Sequence, residues 1–361
     1  MIEIPVNLSS RAYRIVVATG ACAEVGALLG RLSVGRRVAM LTDGTISRLY
    51  GDPVARSLKA AGFDVTEVRV PEGEQAKSLE VLRDIWDRLL EAGCDRTSTV
   101  VAVGGGAVGD VAGFAAATYM RGVHFVQVPT TLLAQVDASI GGKTAIDHPR
   151  AKNLIGAFHQ PRLVVVDPAA LTSLSEREFR SGLAEVIKHG IVLDAEYFAE
   201  LERDLPALLR RDLPVLERVV AGSCRIKAAV VERDEREAEL RHVLNYGHTI
   251  GHAIEAATGF GRFTHGEAVS LGIVAEARLA EALGLAKPST TSRQIDLLGT
   301  AGLPVAGLDT DPAEILDAMG RDKKARDGRI PFVLAPEIGQ FRIVFDTPRK
   351  AIEAAIASLS N

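Results

Sequence analysis

The chain has little cysteine. Its three cysteines, Cys22, Cys94 and Cys224, are widely spaced among 361 residues and form no CxxC pair. This number and spacing argue against a disulfide framework and against a cysteine zinc site, and they suit a reducing compartment. We interpret all three as small buried hydrophobic residues.

The chain also lacks a marked excess of charge of either sign. Its formal net charge is -4, so bulk charge gives no reason to expect a nucleic acid or a membrane surface as partner. Any basic binding site must therefore be local. The N-terminal residues MIEIPVNLSS lack the basic region and apolar run of a signal peptide, and we expect a cytoplasmic protein.

No uninterrupted hydrophobic run, internal repeat or low-complexity segment is found. The longest apolar stretch, residues 100–120, has the length of a membrane span, but it contains Gly104, Gly105, Gly106, Gly109 and Asp110. A strand, a glycine loop and a helix explain it better. With 47% hydrophobic and 24% charged residues, the chain is globular, and its length favours two domains.

The first half alternates β-branched runs with amphipathic stretches such as Ser78–Ala92. This alternation predicts an α/β domain with a doubly wound, mainly parallel, Rossmann-like sheet that binds ligands beyond the carboxyl ends of its strands. The predicted strands are Tyr13–Ala18, Arg37–Thr42, Phe63–Val70, Thr97–Val103, His124–Val128 and Leu163–Val166.

The second half reads as successive helices, interrupted by a short hairpin near residues 329–344. Ser175 with Glu178 and Thr264 with Glu267 form predicted capping boxes, and Asp311-Pro312 and Thr347-Pro348 mark further helix starts. We predict an α/β domain over residues 1–174, a mostly α-helical domain over residues 175–361, and an active site in the interdomain cleft.

The best nucleotide signal is the predicted strand Thr97–Val103, which runs directly into GGGAVGD and an alanine-rich helix. Glycines let backbone N–H groups approach a phosphate at a helix N-terminus. The motif is neither GxGxxG at the first strand nor a P-loop, so a tight, closely packed turn is an alternative. Asp43, the segment 72–77 and Thr130-Thr131 also follow predicted strands, although loops are commonly polar.

A metal signal comes from histidines and a glutamate in the helical half. His248 and His252 are four residues apart, which places both imidazoles on one helical face, and His265 opens the next helix. Glu185 shares a face with Lys188 in an earlier helix. Imidazole and carboxylate ligands suit a catalytic divalent metal with one open position, although several pairings are possible and the glutamate of a zincin motif is absent.

Other residues of these types receive an ordinary structural interpretation. Glu255 reads as a helix-surface charge and Glu267 as a cap. The remaining histidines read as structural or exposed: His124, His148, His159, His189 and His242.

Cations accompany these motifs although the chain is net acidic. Arg241 precedes His248 by seven residues, about two helical turns. Such a set is expected where an anionic substrate is held against a metal, although a single lysine or arginine is usually a surface charge. The cations are Lys143, Lys152 beside Asn153, Lys188, Lys227, Arg241, Lys323 and Lys324.

Together these motifs resemble those of the 3-dehydroquinate synthase family of the shikimate pathway. The resemblance covers about residues 70–335. It rests on GGGAVGDVAGFAAATYMRG, PTTLLAQVDASIGGKTAIDHPRAKNLIGAFHQP, SGLAEVIKHG, LNYGHTIGHAIE, HGEAVSLG and RDKK. The run PTTLLAQVDASIGGKT is highly specific to this family and its sister cyclases.

The resemblance implies roles for named residues. It implies NAD contacts from Asp43, Glu72, Gly73, Glu74, Gln75, Lys77, Gly105, Gly106, Ala107, Val108, Gly109, Asp110, Thr130, Thr131, Asp137, Lys143, Lys152, Leu171, Thr172 and Ser173. It implies zinc or cobalt ligands Glu185, His248 and His265. It implies substrate-binding or catalytic roles for Asp137, Lys143, Lys152, Asn153, Lys188, Lys227, Arg241, Asn245, His252 and either Lys323 or Lys324.

The implied reaction converts 3-deoxy-D-arabino-heptulosonate 7-phosphate, a small anionic sugar phosphate, into 3-dehydroquinate and phosphate, with NAD regenerated in each turnover. His252 suits a proton shuttle, and the family suggests a homodimer. Alternatives are sister cyclases that make an inosose, a valiolone or an amino-dehydroquinate, a metal-dependent polyol dehydrogenase, and a non-enzymatic NAD- or metal-binding regulator. The substrate-contact residues match the dehydroquinate pattern, which disfavours the first two products.

Overall fold

A computed structural model describes residues 1–259, 261–320 and 330–360, so the predicted substrate residues Lys323 and Lys324 lie outside the described residues. Its strands are β1 (Ile2–Val6), β2 (Tyr13–Val17), β3 (Arg37–Asp43), β4 (Asp64–Val70), β5 (Thr99–Gly104), β6 (His124–Pro129), β7 (Lys143–His148), β8 (Ala151–Phe158), β9 (Leu163–Val166), β10 (Phe332–Leu334) and β11 (Arg342–Val344).

The helices of the first half follow individual strands, whereas those of the second half succeed one another. They are α1 (Val25–Leu29), α2 (Gly44–Ile46), α3 (Asp52–Ala60), α4 (Leu79–Glu91), α5 (Gly106–Thr118), α6 (Glu176–Leu193), α7 (Ala195–Leu209), α8 (Leu213–Arg233), α9 (His248–Ala257), α10 (His265–Ala282), α11 (Pro288–Thr300), α12 (Pro312–Gly320) and α13 (Arg349–Ala357).

Seven strands form one twisted sheet in the order β1-β2-β9-β6-β5-β3-β4. All neighbouring pairs in it are parallel except β1 with β2, which is antiparallel at the edge. The strand order reverses between β3 and β5, because β3 continues outward to β4 and β5 continues toward β6. In doubly wound sheets, ligands bind at the carboxyl end of such a switch point.

Alternation along the strands covers both faces of this sheet. In β3, Ala39 and Leu41 join the core formed with α4 and α5, whereas Val38 and Met40 join the opposite core with α1 and α3. Burial on both faces explains the near-continuous hydrophobic runs of the central strands. The predicted α/β fold class and the six predicted strands are therefore confirmed, with β1 as an additional edge strand.

A second feature of the first half, the β7–β8 hairpin, was not predicted. It is an antiparallel pair that packs on α5 through Gly113, where an added Cβ would lie 2.3 Å from Cγ2 of Thr144. The hairpin bears Lys143, Lys152 and Asn153, and Asn153 adopts a positive φ of 52°. The apolar and glycine signals of this stretch were interpreted only as family motif, so its strands were missed.

The chain forms two compact units. The first comprises residues 1–174 and 216–236, and the second comprises residues 175–215 and 237–361. The prediction of one continuous helical domain after residue 174 therefore needs correction, because most of α8 belongs to the first unit. Within that unit, the thiol of Cys224 donates to the carbonyl of Gln135 at 3.3 Å, and the backbone N–H of Asn7 donates to Glu232 at 2.6 Å. These contacts account for the return of the chain.

The second unit is built from helices that approach closely at glycines. A Cβ at Gly266 of α10 would lie 1.9 Å from the carbonyl oxygen of Ser181 in α6. A Cβ at Gly272 of α10 would lie 1.9 Å from the carbonyl oxygen of Gly247, immediately before α9. Glycine at these two positions thus lets α6 and α9 both pack against α10 at backbone distance.

Among the described residues, no helix combines the length and apolar character that crossing a bilayer requires. The long apolar stretch of residues 100–120 instead comprises β5, the glycine turn and α5.

Candidate active site

The glycine turn lies at the end of β5, beside the loop that follows β6. β5 ends at Gly104 and α5 begins at Gly106, with Gly105 at the cap position and no side chain capping the helix. A Cβ at Gly105 would lie 3.2 Å from Cγ2 of Thr131, and the backbone N–H of Thr130 donates to the carbonyl of Gly104 at 2.9 Å. The uncapped N–H groups of α5 thus remain available to an anion.

Two predicted cofactor residues at neighbouring strand ends, Asp43 and Glu72, are linked through Thr45. Asp43 caps α2, accepting from the backbone N–H groups of Thr45 and Ile46 at 3.0 and 2.8 Å. Glu72 accepts from the hydroxyl of Thr45 at 2.7 Å. The switch-point loops are therefore held together by polar contacts as well as by backbone packing.

The loop after β9 is attached to the same edge. Residues 168–173 form a 3-10 helix that contains Leu171, Thr172 and Ser173. The hydroxyl of Tyr50 donates to the carbonyl of Ala170 at 2.9 Å and lies 2.6 Å from the hydroxyl oxygen of Ser173. These contacts fix the predicted cofactor loop next to the segment that follows β3.

Lys77 links the glycine helix to the β7–β8 hairpin. Its ammonium donates to Asp110 of α5 at 2.8 Å and to the side-chain oxygen of Asn153. Burial opposes the charge of Lys77, but Asp110, Glu74 and Asp147 outweigh it and raise the pKa of the ammonium group. A predicted cofactor residue therefore contacts a predicted substrate residue directly.

Asp137 and Lys227 form a half-buried ion pair in the first unit. The ammonium of Lys227, in α8, donates to the carbonyl and to the carboxylate of Asp137 at 2.6 and 2.5 Å. The side chain of Lys227 is only 5% exposed, whereas that of Asp137 is 29% exposed, so solvent screens the pair from the side of the carboxylate alone.

The structure brings together three predicted metal ligands in the second unit. Glu185 projects from α6, His248 begins α9 and His265 begins α10, and one ligand atom from each lies within 4.8 Å of the other two. Oε1 of Glu185 lies 3.3 Å from Nε2 of His248 and 3.7 Å from Nε2 of His265. The glycine contacts of α10 with α6 and α9 are what allow three helices to meet here.

The donor set fits a divalent cation. Oε1 of Glu185 is fully buried, and the described residues provide it with no hydrogen bond. The Nδ1 atom of His248 lies 3.0 Å from the carbonyl oxygen of Tyr246, so Nδ1 carries the proton and Nε2 keeps its lone pair. One carboxylate and two imidazoles form a common set for a catalytic zinc or cobalt ion.

Charges around the cluster set its protonation. Burial opposes ionisation of Glu185, but Lys188 and His248 outweigh it and hold the pKa of that carboxyl well below its usual range. Burial, reinforced by Lys188, lowers the pKa of His248. Burial also opposes protonation of His265, but Glu185 and Glu255 raise its pKa to about 10. A divalent cation would compete with that proton.

Lys188 contacts the cluster directly, and Arg241 and Asn245 belong to the same unit. Lys188 is 1% exposed, and it donates to Oε2 of Glu185 and to the carbonyl of Leu244 at 2.6 Å. Arg241 is 2% exposed, and the amide of Asn245 donates to Glu237 at 3.2 Å. Buried cations of this kind can neutralise an anionic substrate where water is scarce.

The spacing argument for Arg241 was wrong in one respect. Arg241 and Asn245 belong to a separate 3-10 helix, and Gly247, with φ of 75°, interrupts the chain before α9 begins. The seven residues between Arg241 and His248 are therefore not two turns of one helix. A left-handed glycine beside a close backbone contact is the physical reason for the break.

His252 lies next to the predicted metal ligands His248 and His265. Its ring centroid is 5.2 Å from that of His248 and 5.9 Å from that of His265. The four-residue spacing within α9 produces this proximity, as the sequence predicted.

Glu255 was misinterpreted from the sequence as a helix-surface charge. Its side chain is 14% exposed, and Oε2 lies 3.4 Å from Nδ1 of His265. The available signal was its spacing, because Glu255 follows His248 by seven residues and His252 by three, on one face of α9. Glu267, in contrast, forms the predicted capping box with Thr264.

Solved structures resemble this chain over nearly its whole length. The 2-epi-5-epi-valiolone synthase ValA of Streptomyces hygroscopicus subsp. jinggangensis, solved with NAD+ and Zn2+, has a TM-score of 0.87 at 30% identity, covering 96% of both chains. A 2-deoxy-scyllo-inosose synthase complexed with carbaglucose-6-phosphate, NAD+ and Co2+ has a TM-score of 0.86 at 26% identity, covering 98% of this chain and 99% of that chain. The fold is that of the sugar-phosphate cyclases.

Sequence similarity identifies the family within this class. Models described as 3-dehydroquinate synthase N-terminal and C-terminal match residues 67–181 and 182–325. A 3-dehydroquinate synthase of Geobacter metallireducens is 53% identical over 345 residues, covering 95% of this chain and 96% of the relative. One of Pelotomaculum thermopropionicum is 52% identical, covering 94% of this chain and 92% of the relative. The chain belongs to the 3-dehydroquinate synthase family.

Proposed function

We propose that the protein converts 3-deoxy-D-arabino-heptulosonate 7-phosphate into 3-dehydroquinate and phosphate. The observation that carries this proposal is the cluster of Glu185, His248 and His265 with the buried Lys188 beside it, in a chain of this family. When bound, NAD supplies reversible hydride transfer, and the divalent ion supplies Lewis acidity toward a hydroxyl or ketone oxygen.

In the first unit, the residues at the switch point are assigned to NAD. The fit rests on the glycine turn, where a side chain would fill the space beside Thr131, and on Thr130. The hydroxyl oxygen of Thr130 is buried, and the described residues give it no hydrogen bond. Backbone N–H groups of α5 would bind the diphosphate. Asp43, Glu72, Thr130 and the segment 168–173 stand at or just after the carboxyl ends of parallel strands of the same sheet, which supports their assignment to the cofactor.

In the second unit, Glu185, His248 and His265 would hold the divalent ion. Lys188 and Arg241 would bind anionic groups of the substrate, and Asn245 would orient it by hydrogen bonding. His252, adjacent to the ligands but not among them, would move a proton at a substrate oxygen. Burial of the two cations strengthens each of these contacts.

Lys143, Lys152, Asn153, Lys227 and Asp137 retain their proposed substrate or catalytic roles in the first unit. Their support is local: Asn153 and Asp137 are held by Lys77 and Lys227 respectively, which restricts their side chains before any ligand binds. Such restriction lowers the entropy cost of binding.

The function is tested by following phosphate release and NADH absorbance together. Purified protein is incubated with the sugar phosphate, a substoichiometric amount of NAD+ and zinc or cobalt. We expect phosphate to exceed the NAD+ supplied while no NADH accumulates. NADH that rises in step with substrate loss would indicate a polyol dehydrogenase instead. Absence of phosphate release would direct the assay to the sugar phosphates of sister cyclases.

We further propose a cytoplasmic homodimer. Free, buried cysteines suit a reducing compartment. The strand β8 exposes three large apolar side chains, Leu154, Ile155 and Phe158, at 49%, 40% and 46%, and a second subunit that packed against the hairpin would cover them. Light scattering should give twice the chain mass, and Ile155→Glu should shift the protein toward the monomer. An unsubstituted chain that remains monomeric at micromolar concentration would contradict this proposal.

A further inference from the structure

Among the three predicted metal ligands, the two histidines are oriented by different partners. Both have Nε2 facing Oε1 of Glu185, at 3.3 Å for His248 and 3.7 Å for His265. Nδ1 of His248 faces a backbone carbonyl, that of Tyr246, whereas Nδ1 of His265 faces the carboxylate of Glu255. The ring of His265 is thus oriented by a side chain that can be changed without disturbing the backbone.

Glu255 is built into this position by α9. His248, His252 and Glu255 occupy positions i, i+4 and i+7, which form one stripe along a helix. The side chain of Glu255 is 14% exposed, while that of His265 is 31% exposed. His265, at the first position of α10, therefore depends on a partner from a different helix for its orientation.

We propose that Glu255 is a positioning residue that fixes the orientation and tautomer of His265, and thereby sets the affinity of the site for its divalent ion. The carboxylate of Glu255 accepts from Nδ1–H of His265, so Nε2, which faces Glu185, is the ring nitrogen that would give up its proton when the ion binds. A carboxylate behind a ligating imidazole also increases the basicity of the donor nitrogen. The inference rests on the proposed function only in that both use the same metal site.

A second geometry has to be distinguished. His252, Glu255 and His265 also place one ligand atom each within 4.8 Å of the others, so Glu255 could in principle be a ligand itself. We favour the positioning role because Glu185 is fully buried, with Oε1 lacking a hydrogen bond among the described residues, and because Lys188 holds its other oxygen. A ligand role for Glu255 would leave that buried carboxylate oxygen without a partner.

The test measures metal affinity and cobalt absorption on metal-free protein. Zinc is titrated against a chelating indicator for the unsubstituted chain, Glu255→Ala, Glu255→Gln and Glu267→Gln. Glu267 is the matched control, because it is a carboxylate in the first turn of the same helix as His265 and it contacts Arg177 and Thr264 instead. Glu255→Ala should weaken zinc binding by about 10–100-fold.

The other two variants separate the loss of the hydrogen-bond acceptor from a general effect of changing a carboxylate. Glu255→Gln retains an oxygen that can accept from Nδ1–H, so its affinity should recover most of the loss, and Glu267→Gln should bind zinc like the unsubstituted chain. The visible cobalt spectrum should keep its shape in both Glu255 variants, since no ligand is removed. Circular dichroism confirms folding of each variant, and Glu255→Gln serves if Glu255→Ala fails to fold.

Three outcomes would overturn the inference: unchanged zinc affinity in Glu255→Ala, a cobalt spectrum altered as strongly as in His265→Ala, or absence of zinc binding by the unsubstituted chain. None of these measurements requires turnover. A protein that shows the expected dependence on Glu255 but releases no phosphate would refute the proposed reaction and leave the role of Glu255 intact.

Discussion

At the scale of single residues, the three predicted metal ligands Glu185, His248 and His265 lie together in the second unit. Glu185 has no exposed surface, and its charge is balanced by Lys188 on the next turn of the same helix. Removing one member of such a buried set leaves the others uncompensated, which is more disruptive than losing an exposed ion pair.

His248→Ala should abolish binding of the divalent ion and turnover. It removes a predicted ligand whose Nε2 faces Glu185, whereas the residues proposed to bind NAD all belong to the first unit. Zinc titration of metal-free protein and fluorescence titration of NADH measure the two affinities separately, with an expected change in NADH affinity below about threefold. Loss of NADH binding together with metal binding would contradict independent sites.

Sequence reasoning identified the residues of this cluster better than their surroundings. Helical spacing alone placed His248 and His252 on one face, and the family resemblance supplied Glu185 and His265. Glu255 was missed because a glutamate near the end of a short helix usually faces solvent. Only the packing of α9 against α10 turns its side chain toward a histidine, and such tertiary packing is not visible in spacing. The roles of the site residues stay predictions.

At the scale of elements, the helices around the metal cluster are set by glycines rather than by large side chains. Gly266 and Gly272 of α10 face backbone carbonyls of Ser181 and Gly247. A helix that meets backbone on two sides cannot move away without opening the core, so ligands on its first turn are held in place.

Gly272→Ala should destabilise the protein and weaken metal binding together. The added Cβ would lie 1.9 Å from the carbonyl oxygen of Gly247, so α9 and α10 must separate, and overpacking of this kind costs about 1–3 kcal/mol or more. Thermal unfolding and zinc titration measure both effects. Gly320→Ala, where no atom of the described residues lies within 4 Å of the added Cβ, is the control and should leave zinc affinity unchanged.

Glu267 makes the stability of the first turn of α10 dependent on pH. Its side chain accepts from the backbone N–H of Thr264 at 2.7 Å, and hydrogen bonds from Arg177, against the opposing effect of burial, lower the pKa of Glu267. A lowered pKa in the folded state gives stability that is present above the unfolded pKa, about 4.3, and is lost as pH falls through the folded value.

Glu267→Ala should therefore cost about 1–2 kcal/mol at pH 7 and less at pH 3. The pair with Arg177 adds little to this figure, because Arg177 is 55% exposed and its charge is screened by solvent. Urea unfolding at the two pH values measures the difference. An equal loss at both would show that the charge of Glu267 is unimportant.

Local sequence signals predicted some of the secondary-structure elements and not others. The six predicted strands and the capped starts of α4, α6 and α10 follow from β-branched runs and cap residues. The β7–β8 hairpin and the break before α9 were not predicted. Both depend on close approach at a glycine, of the Thr144 side chain to Gly113 and of the α10 backbone to Gly247, and the sequence does not show which segment will approach a given glycine.

At the scale of the whole molecule, the first unit is discontinuous in sequence. Besides Cys224 and Lys227, residues 216–236 contribute Glu217 to the backbone N–H of Thr19 at 2.8 Å and Glu235 to the guanidinium of Arg11 at 2.6 Å. The domain boundary predicted at residue 174 is where the chain first leaves this unit. The prediction did not include the later segment, residues 216–236, that returns to it.

A fragment of residues 1–174 should therefore not fold stably. It lacks the segment that packs on Gln135 and Asp137, so it should show no cooperative unfolding transition in urea and should aggregate at micromolar concentration. Adding a synthetic peptide of residues 216–236 should restore a transition, whereas a scrambled peptide should not. A fragment that unfolds cooperatively alone would mean that the returning segment is dispensable.

The return of the chain also has a consequence for synthesis. As the nascent polypeptide leaves the ribosome, residues 175–215 emerge before residues 216–236. The first unit therefore cannot form its contacts around Gln135 until the intervening segment has been translated. At roughly 5–20 residues per second, this interval lasts several seconds. During this interval the apolar side chains that residues 216–236 cover in the folded protein would be exposed, so a chaperone at the tunnel exit would have time to bind them.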